Sequence, residues 1–362
     1  MKDDYVLKAS YATCRRLVRR SGSNLARCLW LLPSAKRQAM EALYAFLRLT
    51  DDLADQPVPA FRRQAALRQW RLALDQALQQ AGMDLVSGFE IEGLASEEFL
   101  LSSGDVLKIP FLSRGCPTGG PVFPSSAETL QPTPGHEAQL LEDTDGSMEA
   151  SGQAILPALV HTVRRFRIPP GYLYAVLDGV DMDVAGLRYE TFEQLALYCW
   201  RVASAVGLAC LCIWGCHQRE AIPPAIACGL AFQLTNILRD LKEDGRMGRV
   251  YLPTQELARF DYCPEAFPPV QPDERFDQLI HQQVERAEGF YRQGAELWPY
   301  LDRTGRRIFG MMYETYRRLL HRIAQNPRIG LAKRVQLSKW EKMWISLRWT
   351  LWPSRRWLHQ GP

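Results

Sequence analysis

The stretch Ala231 to Pro253, AFQLTNILRDLKEDGRMGRVYLP, constrains the fold of this chain more than any other. Most of it reads as a helix with its polar groups gathered on one face. Gln233, Asn236, Asp240 and Asp244 recur at i, i+3, i+7 and i+11. At about 3.6 residues per turn they form a single stripe. Leu234, Ile237, Leu238 and Leu241 flank that stripe and do not oppose it. A surface helix turns its polar side to water and its apolar side inward. Amides and carboxylates bordered by leucines instead fit a stripe that lines a cavity with an apolar far wall. Two carboxylates one turn apart, with amide oxygens above them, suit Mg²⁺. That ion takes oxygen ligands, keeps several waters, and is held by one or two carboxylates plus phosphate oxygens of a substrate.

A second stripe of the same kind lies near the start of the chain, in EALYAFLRLTDDLAD from Glu41 to Asp55. Tyr44, Arg48, Asp51, Asp52 and Asp55 share one helical face, and Asp51 and Asp55 are one turn apart. One DxxxD pair on a helix is most simply a solvated face, because charged side chains are mostly exposed. Two such pairs, each set among apolar residues and each beside an arginine (Arg48, Arg239), point to a shared cavity. Such a cavity is expected to hold two or three Mg²⁺ ions and one or two diphosphates.

These stretches resemble the two aspartate-rich signatures of the squalene/phytoene synthase family, the head-to-head prenyl synthases. LYAFLRLTDDLAD matches the first, and FQLTNILRDLKEDGRMGRVYLP matches the second. SGSNLARCLWLLP at 21–33, VRRFRIPPGYLYAVLDGVDMD at 163–183 and YETFEQLALYCWRVASAVGL at 189–208 follow the family pattern in order. Leu25 departs from it, standing where an aromatic is common.

The resemblance implies an all-α, single-domain isoprenoid synthase bundle with a central apolar cavity. It implies Mg²⁺-dependent condensation of two prenyl diphosphates with release of diphosphate. Metal ligands are expected at Asp51, Asp52, Asp55, Asn236, Asp240 and Asp244. Diphosphate contacts are expected at Ser21, Ser23, Tyr44, Arg48, Gln233, Asn236, Arg239, Arg249 and Tyr251. The family places the residues matching Tyr198 and Arg201 beside the reacting diphosphates, so they join Asp51, Asp55, Asp240 and Asp244 as catalytic candidates. Arg249 and Tyr251 in GRVYLP read as a cation and a phenol on a mobile segment that closes over a diphosphate. The SGS at 21–23 and the ending DDLADQP lean toward bacterial squalene-pathway members, with two farnesyl diphosphates giving presqualene diphosphate or squalene. The alternatives are a phytoene synthase using geranylgeranyl diphosphate and a non-catalytic scaffold of the same fold. No GxGxxG fingerprint occurs, yet NADPH-using relatives lack one too, so NADPH use stays open.

Helical periodicity runs through most of the chain, without strand alternation. Residues 1–84 and 151–330 read together as one helical domain. Residues 85–150 break it with ten prolines and glycines between Gly104 and Pro134 and an acidic run from Glu137 to Glu149. That composition cannot bury enough apolar surface to order itself, so an inserted disordered segment or lid is expected. Asp178, Asp181 and Asp183 read as a helix end and turn, beside the cavity and not among its primary ligands. The apolar helix from Thr191 to Cys216 carries small residues (Ala203, Ser204, Ala205, Gly207, Ala209) that permit close packing or leave room for a ligand.

A net charge of +4 on 362 residues gives no reason to expect nucleic acid. Nine cysteines without a CxxC pair read as free thiols of a reducing cytoplasm. Neither a secretory leader nor a transmembrane span is expected. Residues 331–362 interleave Trp340, Trp344, Trp349, Trp352 and Trp357 with lysines and arginines. Such a segment suits either packing onto the domain or peripheral contact with the inner face of the cell membrane. Other enzymes of isoprenoid biosynthesis are conceivable partners.

Overall fold

The computed structural model describes residues 2–21, 29–83, 96–100, 106–110 and 146–359. Its helices are α1 (Lys2–Ser21), α2 (Ser34–Ala54), α3 (Ala60–Gln80), α4 (Gly146–Phe166), α5 (Pro170–Val184), α6 (Phe192–Cys199) and α7 (Ala205–Trp214). There follow α8 (Ile222–Arg246), α9 (Thr254–Arg259), α10 (Glu274–Gly294), α11 (Arg303–Gln325), α12 (Ile329–Ala332), α13 (Lys339–Leu351) and α14 (Arg356–His359). One antiparallel hairpin, β1 (Ser96–Leu100) with β2 (Val106–Pro110), pairs Phe99 with Leu107. It falls inside the expected insertion and leaves the all-α bundle as expected. Most of residues 85–150 lie outside the described residues, and α4 begins already at Gly146.

Helix α8 is the axis of the bundle. It packs most extensively on α10, and also on α7, α11 and α12. Pro223 and Pro224 sit at its start, where a missing N–H costs nothing and a fixed φ favours the helix. Its first half, Ala225 to Ala231, is buried all round. Leu234, Ile237, Leu238 and Leu241 carry the burial onward while the polar stripe turns elsewhere. Each fully buried leucine contributes about 2 kcal/mol of transfer free energy. The helix runs on to Arg246 and includes Gly245.

Between α6 and α7 the chain passes through a π-helical turn, Trp200–Ser204, whose wider winding shifts the facing of every later side chain. The turn is wedged against α8. Ser204 Oγ donates to the Ile226 carbonyl at 2.9 Å, and a Cβ on Gly229 would lie 2.4 Å from Ser204 Cα. Only glycine lets the two backbones approach so closely. The spans Phe192–Trp214 and Arg219–Arg246 are each long and apolar enough to cross a membrane by composition, but both are mostly buried inside the bundle. They are core helices here.

The seven described cysteines are free. The C-terminal segment packs on the bundle through α11, with Ile345, Trp349 and Leu358 buried.

Candidate active site

The polar stripes of α2 and α8 face one cavity of about 270 Å³. Asp51 and Asp55 come from α2, and Gln233, Asn236, Arg239, Asp240 and Asp244 from α8. Asp183, Tyr198, Arg249 and Tyr251 complete its polar lining. Ten of the residues singled out in the sequence are therefore brought together.

Others are not. Arg48 and Asp52, spaced i, i+4 on α2, pair with each other at 2.7 Å on the helix flank. Tyr44 packs against the core instead of lining the cavity. Arg201 turns to Met182 Sδ at 3.1 Å, because the π turn rotates it away from Tyr198's face. Ser21 donates to the Val18 carbonyl at 2.8 Å, ending α1. Ser23 lies outside the described residues.

Asp183 lies in the last turn of its helix and lines the cavity. Helix α5 continues to Val184, so Asp183 is still helical and points inward. It accepts from Tyr198 Oη and from Tyr251 Oη, each at 2.9 Å. Asp178 and Asp181 stay outside the cavity, with Asp178 paired to Arg71. The rings of Tyr198 and Tyr251 stack at 5.2 Å, and Tyr189 joins them at 5.5 Å from Tyr198. Burial, with Asp183 beside them, pushes both phenols up, so each stays a donor at neutral pH. The Arg249–Tyr251 segment is anchored, not loose. Val250 and Leu252 are buried, and the Thr254 N–H donates to the Tyr189 carbonyl at 2.8 Å.

The acids crowd one another. Enclosure by protein, then the charge of Asp55, raises Asp51 to about 7. Water still reaches Asp51 through the cavity mouth, but Asp52, Asp55 and Asp183 push in the same direction. Burial, then Asp240, raises Asp244 to about 7, and burial lifts Asp183 to about 6. Cations answer only part of this. Arg249 donates to Asp55 at 3.0 Å. Asp240 is held by Arg239 on its own helix and by Arg334, at 2.9 Å, from the segment after α12. Arg334 was missed in the sequence, where nothing ties it to a residue 94 positions away.

Among the described residues no three acidic, histidine or cysteine side chains converge closely enough to enclose a metal alone. The donor set fits a different arrangement. Asn236 Nδ2 donates to Gln233 Oε1 at 3.2 Å, which leaves the buried Asn236 Oδ1 without a partner. An orphaned amide oxygen beside under-compensated carboxylates suits a hard cation completed by waters and phosphate oxygens. Each carboxylate raised on folding adds stability below its unfolded value near 4 and loses it as pH rises through about 7. The metal-free protein is thus expected to melt lower at about pH 8 than at about pH 5. Millimolar Mg²⁺ should raise the midpoint at the higher pH only, through a stability gain of about 2.7 kcal/mol if it reaches a hundred times Kd. Scanning calorimetry with EDTA or Mg²⁺ checks this, and a midpoint indifferent to Mg²⁺ at both pH values would count against a cation site.

A second cavity, about 200 Å³ and apolar, adjoins the first. Ala203 and Gly207 give it room, while Val206, Phe232, Phe309 and Met312 wall it. Ser204, Ala205 and Ala209 are packed instead, so the small residues of this helix serve both roles foreseen. Gln233 and Asn236 line both cavities.

A family model described as "Squalene/phytoene synthase" matches residues 18–341. The chain belongs to the squalene/phytoene synthase family. It is an enzyme of prenyl transfer by that membership, and its fold is the all-α isoprenoid synthase fold. A phytoene synthase of Arthrospira platensis is 28% identical over 347 residues, covering 92% of this chain and 90% of that one. A phytoene synthase of Mycobacterium tuberculosis is 32% identical over 203 residues, covering 55% of this chain and 67% of its own. A crystal structure of a dehydrosqualene synthase superposes with a TM-score of 0.68 at 22% identity, covering 95% and 96% of the two chains. A squalene synthase from Alicyclobacillus acidocaldarius gives 0.64 at 21%, covering 90% and 95%. The squalene/phytoene synthase family is one of head-to-head prenyl diphosphate condensation.

Proposed function

We propose that this site couples two long-chain prenyl diphosphates head to head and releases diphosphate. One observation carries the reading: a polar acid-lined cavity and an apolar cavity meet at Gln233 and Asn236. A diphosphate fits the first and a prenyl tail the second, with the reacting carbon between them.

Asp51, Asp55, Asn236, Asp240 and Asp244 would hold Mg²⁺, which supplies positive charge to the departing diphosphate. Arg249 and Arg239 line the cavity as always-charged planar donors suited to phosphate oxygens, and Arg334 holds Asp240 beside them. The C1–O bond of one allylic diphosphate breaks, and the C2=C3 double bond of the second substrate attacks the resulting cation. Loss of a proton closes a cyclopropane. Tyr198 and Tyr251 stay protonated, so they orient groups through Asp183 and do not take that proton; the released diphosphate is the base. Val206, Phe232 and Phe309 keep out water that would quench the cation.

The names of the curated relatives support one tail length over the other. Those that align along most of the chain are named phytoene synthases, which favours geranylgeranyl diphosphate and a forty-carbon product. A second reading, two farnesyl diphosphates giving a thirty-carbon product, rests on the SGS and DDLADQP stretches. Purified protein with Mg²⁺ and each diphosphate separately, analysed by product mass with and without NADPH, decides between them. A forty-carbon product supports the first reading and a thirty-carbon product the second. Folded protein that releases no diphosphate from either would favour a scaffold.

A further inference from the structure

We propose that the outer face of α13 docks the protein on an anionic lipid bilayer.

The helix has two faces with different work. Its start is fixed by a reciprocal cap, Ser338 with Glu341. Its inner face is held firmly. Ile345 and Trp349 are buried, and Trp349 Nε1 donates to Glu314 Oε2 at 2.6 Å. The Trp349 ring lies so close on Gly310 that a Cβ there would stand 2.2 Å from it. Arg348 also pairs with Glu314, and Arg322 with Glu341 at 2.6 Å. The helix is thus pinned to α11 before any partner arrives.

Among the described residues, the outer face is largely left open to solvent. Trp340, Met343, Trp344, Leu347 and Leu351 recur at i, i+3, i+4, i+7 and i+11, and Trp352 follows. All six are between 48% and 75% exposed. Other exposed large apolar side chains among the described residues are scattered over several separate segments. A contiguous apolar stripe of this kind marks an interaction surface.

Charge selects the occupant. Residues 331–362 carry seven lysines and arginines against one glutamate, while the whole chain is only +4. The rest of the chain is therefore net negative, and the positive charge is concentrated beside this stripe. Lys339, Arg355 and Arg356 are exposed there. A second copy meeting the same face would oppose two strongly basic segments, which self-association disfavours. Exposed tryptophans flanked by long cationic side chains match the headgroup layer of a membrane, with rings at the interface and cations on anionic lipid.

The location adds to this. Phe309, Met312 and Tyr316 of α11 wall the apolar cavity, while Gly310 and Glu314 of the same helix hold α13. The bilayer would then lie about one helix packing distance, ~10 Å, behind the wall of the cavity that takes the tails.

The test is co-sedimentation of the full chain with unilamellar vesicles of equal parts phosphatidylcholine and phosphatidylglycerol, against phosphatidylcholine alone. Binding is expected on the anionic vesicles, weakening as salt rises. The variant Trp340→Ser/Trp344→Ser/Leu347→Ser should lose at least about tenfold in partition. Its melting curve should stay close to wild type, because all three side chains are exposed. Brominated lipid chains should quench tryptophan emission of wild type more than of the variant. Absence of wild-type binding to anionic vesicles, or equal binding by the folded variant, overturns the proposal. So does a dimer that the variant splits without any vesicle binding. None of these readouts depends on the substrate.

Discussion

Asp244→Ala will lower diphosphate release about a thousandfold, while the metal-free protein melts a few degrees higher than wild type. Asp51→Ala will lose activity alike but gain less stability, because Asp51 is open to water at the cavity mouth. The two effects have one cause. Burial and Asp240 hold Asp244 up near 7, so in the absence of a cation it opposes folding at neutral pH; Asp51 is raised in the same direction, but water at the cavity mouth screens it. Removing one relieves that repulsion and leaves the apolar flank of Leu234, Ile237, Leu238 and Leu241 untouched. It also removes an oxygen donor placed for charge that develops only in the reaction. Loss of activity with gain of stability is the mark of a site kept strained for function. Activity within about tenfold of wild type in both variants would take these acids out of the chemistry. Steady-state kinetics and differential scanning fluorimetry with EDTA read the two effects separately.

Gly229→Val will do the opposite, lowering stability and activity together. Its first added carbon would stand 2.4 Å from Ser204 Cα and 2.6 Å from Ser204 N, both backbone atoms that cannot rotate aside. The two helices must part or the π turn must unwind, at about 3 kcal/mol for overpacking of this kind. Either movement carries Val202 and Ala203 off the apolar cavity and unsettles Tyr198, which precedes the turn. The expected result is a midpoint lower by several degrees and a product yield that falls at temperatures where the protein remains folded. A variant that melts with wild type would show that the contact between α8 and the turn has slack.

Both substitutions fall on or against α8, and that helix was the most legible part of the sequence. The stripe Gln233, Asn236, Asp240 and Asp244 and its leucine flank follow from helical period alone. The two acid pairs could be matched because each sits among apolar residues that a solvated face would not need. Asp183 was not legible in this way. Its facing depends on where α5 stops, and a helix end cannot be located from sequence to within a residue or two. Arg48 and Asp52 share the right face on paper, yet at i, i+4 they satisfy each other and leave the cavity. Arg201 lies outside the cavity lining for another reason: it sits in the wider winding at Trp200–Ser204, which no helical period foretells. Arg334 reaches Asp240 only through the tertiary fold.

The shared amide pair, Gln233 and Asn236, has a consequence for how such enzymes diverge. Under the proposed function, the acids and arginines that meet the diphosphate lie on one side of this seam, and the apolar side chains that meet the tail lie on the other. Side chains such as Phe309 or Met312 can be exchanged, lengthening or shortening what fits, while the acids and arginines stay in place. Product size and reactivity are thereby heritable as separate traits, and lineages making thirty-carbon and forty-carbon hydrocarbons need not reinvent the reaction to part ways.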